Sequence, residues 1–254
     1  SLKSLDGLEN FEMKKVINTT NMFYGCVSLE SVNGLINWEM NNVIFTSNMF
    51  QNCISLVSVE NLKNWNMDNV ANTNDMFNGC CLLNDISGLK NWNMDQVKYT
   101  EGMFESCNAL TNIDVLKNWK MSNTINTNRM FKNCTSLTNV DALSNWTMFN
   151  LYNCKNMFQN CTSLNSIDGL KNWDMSNVCN MNGMFQNCFS LKSIESLKNW
   201  SFFFISETSY MFADCKSLDS LDPLSNWNML KVRYIQNMFQ NCTSLNSLYD
   251  ISKW

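Results

Sequence analysis

The chain has 254 residues, a net charge of −4 and no histidine, and 45% of its residues are apolar. The apolar content supports a substantial core, and the charge excludes the basic surface of a nucleic-acid-binding protein. No apolar run is long enough to span a membrane and no signal peptide opens the sequence, so we expect any targeting segment to lie outside it.

A period of 27 residues organises the whole sequence. Tryptophan recurs at this interval from Trp38 to Trp254, and cysteine keeps the same interval. The periodic cysteines are Cys26, Cys53, Cys80, Cys107, Cys134, Cys161, Cys188, Cys215 and Cys242. A fixed period of this size predicts a solenoid, in which each coil contacts only its neighbours. We therefore predict a single repeat domain over residues 1–254, with nine coils and a partial tenth, and expect it to be a segment of a longer chain.

Within one coil, counted as positions 1 to 27 from Ser1, the apolar spacing predicts the elements in order. Leucine-type residues at positions 2, 5 and 8 predict a short strand centred near position 5, which pairs in parallel with its copies. Trp at 11 and Met at 13 alternate, which indicates a second extended segment, and Val at 16 closes the turn. Thr, Met, Phe and Cys at 19, 22, 23 and 26 have helical spacing, so a short helix is predicted there, for example around Asn156 to Asn160. The predicted fold class is therefore α/β.

Position 10 is asparagine in nine coils, from Asn10 to Asn226. A polar residue that always precedes an inward tryptophan is usually buried and fully hydrogen-bonded. We therefore predict an asparagine ladder beside the tryptophan row, with a structural role.

The repeated stretch MFQNCTSL, Met157 to Leu164, raises the question of what its cysteine does. Cys161 could be a nucleophile, a metal ligand, half of a disulfide or part of the sequon that begins at Asn160. Its copies are expected about 4.8 Å apart, and in-register side chains then leave the Cβ atoms too far apart for a bridge, which needs roughly 3.5–4.5 Å. The lack of histidine and of any CxxC motif argues against zinc and catalysis. We predict buried free thiols, and free thiols also at Cys81, Cys154 and Cys179, with a strained Cys80–Cys81 disulfide as the alternative.

The combination of MFxxC, SLxSL and LxNWxMxxV resembles the BspA-like leucine-rich repeat, which is also found in mycoplasma-type surface lipoproteins and other bacterial surface proteins. The motif covers the whole chain, and Ser163 to Val178 is a nearly complete copy. The resemblance implies a right-handed solenoid, a cell-surface or extracellular location, and binding rather than catalysis. The eighth coil departs from the pattern, because it reads WSFFFI from Trp200 to Ile205.

Three classes of function are therefore compared. The first is a non-enzymatic surface scaffold for protein–protein contact or cell adhesion, with a host, cell-surface or self partner. The second is a spacer or filament subunit, which assembles through uncapped solenoid ends or through exposed aromatic residues of the late coils. The third is an enzyme, which the sequence does not favour, since no catalytic, cofactor-binding or metal-binding residue is predicted. The row of position-6 carboxylates is typical of solvated turns, with a calcium site as the alternative. These carboxylates are Asp6, Glu60, Asp114, Asp141, Asp168, Glu195 and Asp222.

The candidate partner-binding residues are apolar side chains that replace polar ones at positions 14 to 18, late in the chain. They are Phe149, Tyr152, Phe203, Phe204, Leu230 and Tyr234. Stacking brings the sixth, eighth and ninth coils onto one surface, so these residues predict an exposed aromatic patch of the kind that marks a partner site. The alternative is that the eighth coil tucks its phenylalanines into its own core.

Overall fold

The computed structural model describes residues 2–252 and 254, and Ser1 and Lys253 of the predicted domain lie outside the described residues. The chain winds into a leucine-rich-repeat-like stack of coils, and short 3-10 helices recur in successive coils every 27 residues. These helices are Asn33–Leu35, Glu60–Leu62, Ser87–Leu89, Asp114–Asn118, Asp141–Asn145, Asp168–Leu170, Glu195–Leu197, Asp222–Leu224 and Tyr249–Ile251.

The eight 3-10 helices from Asn33–Leu35 to Asp222–Leu224 each begin where a polar side chain at position 4 accepts a hydrogen bond from the backbone N–H at position 6. Ser166 Oγ, for example, accepts a hydrogen bond from the backbone N–H of Asp168 at 3.3 Å. Asn112 Oδ1 does the same for Asp114 at 2.6 Å. The first turn of a helix leaves its N–H groups without internal partners, so this contact fixes where the helix starts.

The parallel pairing between coils occurs mainly at position 18, away from the strand predicted near position 5. Single parallel bridges join Asn18 to Phe45 and continue coil by coil to Tyr234. Near position 5 the described coils show only two bridges, Ser58 with Asp85 and Asn139 with Ser166. The strands are therefore reduced to isolated bridges, because each coil turns again after one or two extended residues.

The helix predicted over positions 19 to 26 is wrong. Within residues 2–252 and 254 no α-helix forms, and this segment is a run of turns instead. Positions 21 and 25 have φ between 53° and 76° in all nine coils, which interrupts any helical hydrogen-bond pattern. Asparagine, glycine and aspartate, which tolerate this backbone best, hold most of these positions. Arg129 and Tyr210 are the exceptions at position 21 and adopt it at a cost in strain.

In the turn segment, successive backbone N–H groups donate alternately to a carbonyl of the next coil and to a carbonyl of the same coil. In coil 1 the N–H groups of Asn21 and Phe23 donate to Ser47 and Met49 of the next coil at 3.0 and 2.9 Å. The intervening N–H of Met22 donates within its own coil, to Thr19. The same alternation recurs along the stack, so the segment stacks like a sheet although it contains no strand.

The core consists of side-chain rows that run the length of the stack. The tryptophans from Trp38 to Trp227 are buried, which confirms the predicted inward position. Each indole Nε1, from Trp38 to Trp254, donates to the carbonyl of the position-8 leucine in the preceding coil at 2.8 to 3.1 Å. The rings stack at 6.0 to 6.4 Å from Trp38 to Trp173 and again from Trp200 to Trp254. A parallel row of phenylalanines at position 23 stacks at 5.5 to 5.9 Å.

The predicted burial of the position-10 asparagines is wrong, since all nine are exposed. A 3-10 helix has three residues per turn, so the inward leucine at position 8 is followed by the inward tryptophan at 11, and position 10 faces solvent. A hydrogen-bonded asparagine row exists at position 25 instead. There, Asn160 Nδ2 donates to Asn133 Oδ1 at 2.7 Å, and Asn187 Nδ2 donates to Asn160 Oδ1 at 2.6 Å.

The periodic cysteines point inward, as predicted, and all twelve cysteines of the chain are free thiols. From Cys53 to Cys242, each periodic Sγ donates to the carbonyl of the position-23 phenylalanine in the preceding coil, at 3.0 to 3.3 Å. Burial raises the pKa of Cys53 and of Cys161 to about 12. These thiols are therefore protonated donors that tie neighbouring coils together.

Candidate functional site: an aromatic strip along the stack

The predicted aromatic residues lie on the surface formed by positions 14, 15, 17 and 18, which we call the aromatic strip. Position 16 is buried in most coils, as at Leu151 and Ile205, so its neighbours at 15 and 17 point outward. All six candidates are exposed. The six are Phe149, Tyr152, Phe203, Phe204, Leu230 and Tyr234.

The irregular eighth coil divides its three phenylalanines between core and surface. Phe202 takes the place of the usual methionine, is 6% exposed, and packs edge-on against Trp227 at 4.9 Å between ring centroids. Phe203 and Phe204 are 60% and 56% exposed. The alternative that this coil buries its phenylalanines therefore holds for Phe202 alone.

A local exchange of hydrogen bonds puts Phe204 on the surface. In other coils an asparagine at position 15 donates to the position-14 carbonyl of the preceding coil, as Asn177 does to Phe149 at 2.7 Å. Phe204 replaces that asparagine, and the backbone N–H of Phe203 donates to Ser176 at 3.2 Å instead. In the next coil Lys231 fills the asparagine's role, because its Nζ donates to the Phe203 carbonyl at 2.7 Å.

Two neighbouring clefts open along the strip. Tyr152 and Phe204 form the walls of the first, and Cys179 lies between them with Asn150 and Asn177. Cys179 Sγ lies 3.2 Å from Ser206 Oγ, and a hydrogen bond with Cys179 raises the pKa of the Tyr152 phenol. The cleft is lined mainly by apolar surface with amides at its edge, which suits a flat apolar group.

The second cleft lies on the other side of Phe204. Phe204 and Leu230 flank it, with Ser206, Val232, Lys231 and Arg233 around them. Lys231 Nζ lies 5.5 Å from the Phe204 ring centroid, which is a cation–π contact. Phe204 is thus the shared wall, whereas Phe149, Phe203 and Tyr234 are exposed on the strip but line neither cleft.

The strip extends further than the sequence indicated. Ile17, Phe45 and Tyr99 are exposed at positions 17 and 18 of the first, second and fourth coils. The sequence carries a signal for Phe45 and Tyr99, since position 18 is otherwise mostly asparagine. It carries a weaker one for Ile17, because position 17 is apolar in most coils.

A charged cluster lies elsewhere, on the turn face of the middle coils. Arg129 Nη1 donates to Glu105 at 2.8 Å and Nη2 to Glu101 at 2.9 Å, while Lys132 lies 3.2 Å from Glu105. Asp75 Oδ1 lies 4.0 Å from Arg129 Nη2. The cluster joins three coils by ion pairs, and its groups are already paired with one another.

Neither a metal-binding group of side chains nor a membrane-spanning helix is found in the described part of the chain. No group of three or more cysteine, aspartate or glutamate side chains in residues 2–252 and 254 is arranged to hold a metal ion. No helix in the same residues has the length and apolar content needed to cross a membrane.

The family model described as "Mycoplasma protein of unknown function, DUF285" matches the chain in three overlapping parts, residues 2–113, 55–167 and 153–254. The chain belongs to this family. The match runs through the repeated motif and confirms the recognition of BspA-like leucine-rich repeats. Comparison with curated proteins returns no match.

Several solved structures are similar to the chain. A leucine-rich-repeat protein of T. pallidum shares 18% identity at a TM-score of 0.41, over 81% of this chain and 73% of that one. A leucine-rich cell surface protein of Faecalibacterium prausnitzii shares 16% identity at a TM-score of 0.37, over 91% of this chain and 70% of that one. A leucine-rich-repeat protein of Bacteroides ovatus shares 17% identity at a TM-score of 0.36, over 91% of this chain and 69% of that one. Because these TM-scores lie below 0.5, the family assignment depends on the sequence match.

Proposed function

We propose that the chain is a non-enzymatic repeat scaffold that acts at the cell surface and binds a protein partner through the aromatic strip. The observation that carries the proposal is the exposure of six apolar candidates on one surface, with two clefts between them. Contiguous apolar surface of this kind is uncommon on a monomer and often marks a partner site.

The rest of the repeat supports a scaffold role. The recurring tryptophans and cysteines and the asparagines at position 25 form hydrogen bonds between coils, so they stabilise the fold. Function is then expected where coils differ from one another, as at positions 14 to 18 of the sixth, eighth and ninth coils. The surface location and the adhesive role follow from the resemblance to BspA-like proteins.

Labelled protein added to intact cells tests this function. We expect saturable binding that is lost when the cells are first treated with protease, and lost in a variant with Phe149, Phe203 and Phe204 changed to Ser. A matched control changes Ile54, Val57 and Leu82 to Ser, since these apolar residues are similarly exposed at positions 27, 3 and 1, outside the strip. Equal binding by the two variants, with unchanged circular dichroism melts, would contradict the proposal.

A spacer or filament subunit is the alternative function, in which copies of the chain join end to end. Electron microscopy separates the two functions. Particles of one coil-stack length at every protein concentration support the scaffold, and particles that lengthen with concentration support end-to-end assembly.

A further inference from the structure

We propose that the aromatic strip is self-complementary and pairs two copies of this chain side by side, antiparallel. This inference rests on the proposed function, since it names a second copy of the chain as the protein that the strip binds. Between opposing cells the same contact would act as a homophilic adhesion.

The first argument is that aromatic and non-aromatic coils alternate along the strip. From coil 1 to coil 8, exposed aromatic side chains come from every second coil, at positions 14 to 18, and the coils between them have no aromatic residue on the strip. The aromatic residues are Phe45 of coil 2, Tyr99 of coil 4, Phe149 and Tyr152 of coil 6, and Phe203 and Phe204 of coil 8. At position 17 the coils between them carry Ile17, Ala71, Ile125 and Cys179. Coil 9 departs from the alternation with Tyr234.

The second argument is the spacing. Two coil steps separate residues at the same position by about 10 Å, as between Phe45 and Tyr99 at position 18. Tyr152 at position 17 and Phe204 at position 15 are two coils apart and are also offset along the coil. The cleft between them, which Cys179 also lines, offers an apolar surface to a side chain of the second copy.

The third argument is symmetry. A two-fold axis that lies in the plane of the strip and across the stack reverses the order of the coils, and residues at the same position then face each other. When coil 2 faces coil 7, every aromatic coil among coils 1 to 8 faces a non-aromatic one. Ile44 then faces Cys179 in the cleft of the second copy, with Phe45 beside it against Asn180. Tyr152 faces Ala71, and each contact occurs twice.

The charges favour the same register. At positions 14, 15, 17 and 18 no residue faces a like charge, and Lys14 and Lys15 face Phe203 and Phe204, where cation–π contacts form. A shift by one coil in one direction sets Lys15 against Lys231, and a shift in the other sets Lys98 against Lys98 of the second copy. Both shifts set aromatic coils against aromatic coils. Like charges held together cost free energy, so both shifted registers are disfavoured.

The contact between the two copies is small. Eight paired coils give a strip about 38 Å long, and four to five residues give a width of about 15 Å. The pair would bury about 1,200 Å² in total, at the lower limit of specific interfaces. We therefore expect a weak dimer with a dissociation constant in the micromolar range.

Sedimentation equilibrium of the purified chain tests the pairing. We expect a monomer–dimer equilibrium, and at least a tenfold weaker association for the Phe45→Ser and Tyr152→Ser double variant. The control double variant Ile54→Ser and Val57→Ser should associate like the wild type. A wild type that stays monomeric at hundreds of micromolar, or a control that weakens equally, overturns the inference.

A thiol crosslink tests the register. Ile44 faces Cys179 of the second copy when coil 2 faces coil 7, so Ile44→Cys should give a covalent dimer under mild oxidation. Mass spectrometry should find residue 44 joined to residue 179, and adding Cys179→Ser should abolish the crosslink. Lys98→Cys, two coils further along, should not crosslink to Cys179, and if it does so more efficiently the register is wrong.

The two proposals fail in different ways. If the chain is monomeric but binds cells through the strip, the inference fails and the scaffold function stands. If the strip variants bind cells as the wild type does, the scaffold function itself fails.

Discussion

Raising the pH from 7 to 10 is expected to unfold this protein through its own cysteines. Burial raises the pKa of seven enclosed thiols well above the ordinary value of 9.0. The seven are Cys80, Cys107, Cys134, Cys154, Cys161, Cys188 and Cys215. In the folded chain these thiols stay protonated at pH 10, whereas in the unfolded chain most of them lose a proton.

The direction in which stability changes with pH follows from the linkage between proton binding and folding. A raised folded-state pKa gives stability that is fully present below pH 9 and is lost as the pH rises toward the folded value, about 12 for Cys161. Each thiol removes about 1.4 kcal/mol per pH unit above 9. Seven thiols at pH 10 remove about 10 kcal/mol, which is comparable to the entire free energy of unfolding of a typical domain, about 5–15 kcal/mol.

Urea unfolding followed by circular dichroism, at pH 7, 8, 9 and 10 with a reductant present, measures the effect. The urea midpoint should be constant to about pH 8.5 and then fall steeply. The double variant Cys134→Val and Cys161→Val should lose less stability, by about 3 kcal/mol per pH unit, because two titrating groups are gone. A midpoint that is equal at pH 7 and 10, or a slope that does not depend on the number of thiols, would refute the reasoning.

Three further outcomes are expected. Trp119→Ala should cost about 3–5 kcal/mol in urea unfolding, since the indole is buried between two other tryptophans, and a wild-type midpoint would contradict its place in the core. A thiol reagent at pH 7.5 should label few of the twelve cysteines in the folded chain and nearly all after denaturation, and coil-to-coil disulfides in the mass spectrum would contradict this. Arg129→Ala should be less stable than Arg129→Asn by about 1 kcal/mol, because asparagine tolerates the φ of 57° better; equal midpoints would show that the backbone carries no strain.

The sequence predicts the solenoid and its core because these depend on side-chain periodicity. Trp119 and Cys161 recur in register, and an apolar residue that recurs through the coils stacks on its own copies, whereas the recurring asparagine at position 10 faces solvent. The helix expected around Asn156 to Asn160 could not be rejected from apolar spacing, since turns and helices both place residues three apart on one side. Asparagine at 156 and 160 was the missing signal, because both adopt positive φ.

The candidate site was predicted in part, from residues that depart from the repeat and not from the repeat itself. Phe203 and Phe204 stood out against a polar background, so their exposure could be expected, although Phe202 beside them is buried. The clefts could not be predicted, because they depend on which side chain supplies a hydrogen bond in each coil. At position 15, Phe204 and then Lys231 replace asparagine. The effect of this replacement on the clefts can be seen only in the structure.

The stacked indoles have an optical consequence. From Trp38 to Trp173, neighbouring rings lie about 6 Å apart and nearly parallel, so an excitation absorbed by one can pass to the next before it is emitted. The intrinsic fluorescence then reports on a row of coupled chromophores, and one quenching event in the row darkens its neighbours. Replacement of Trp119 by a non-fluorescent side chain would divide that row in two. The tryptophan fluorescence of such a variant would then indicate how many coils remain stacked in register.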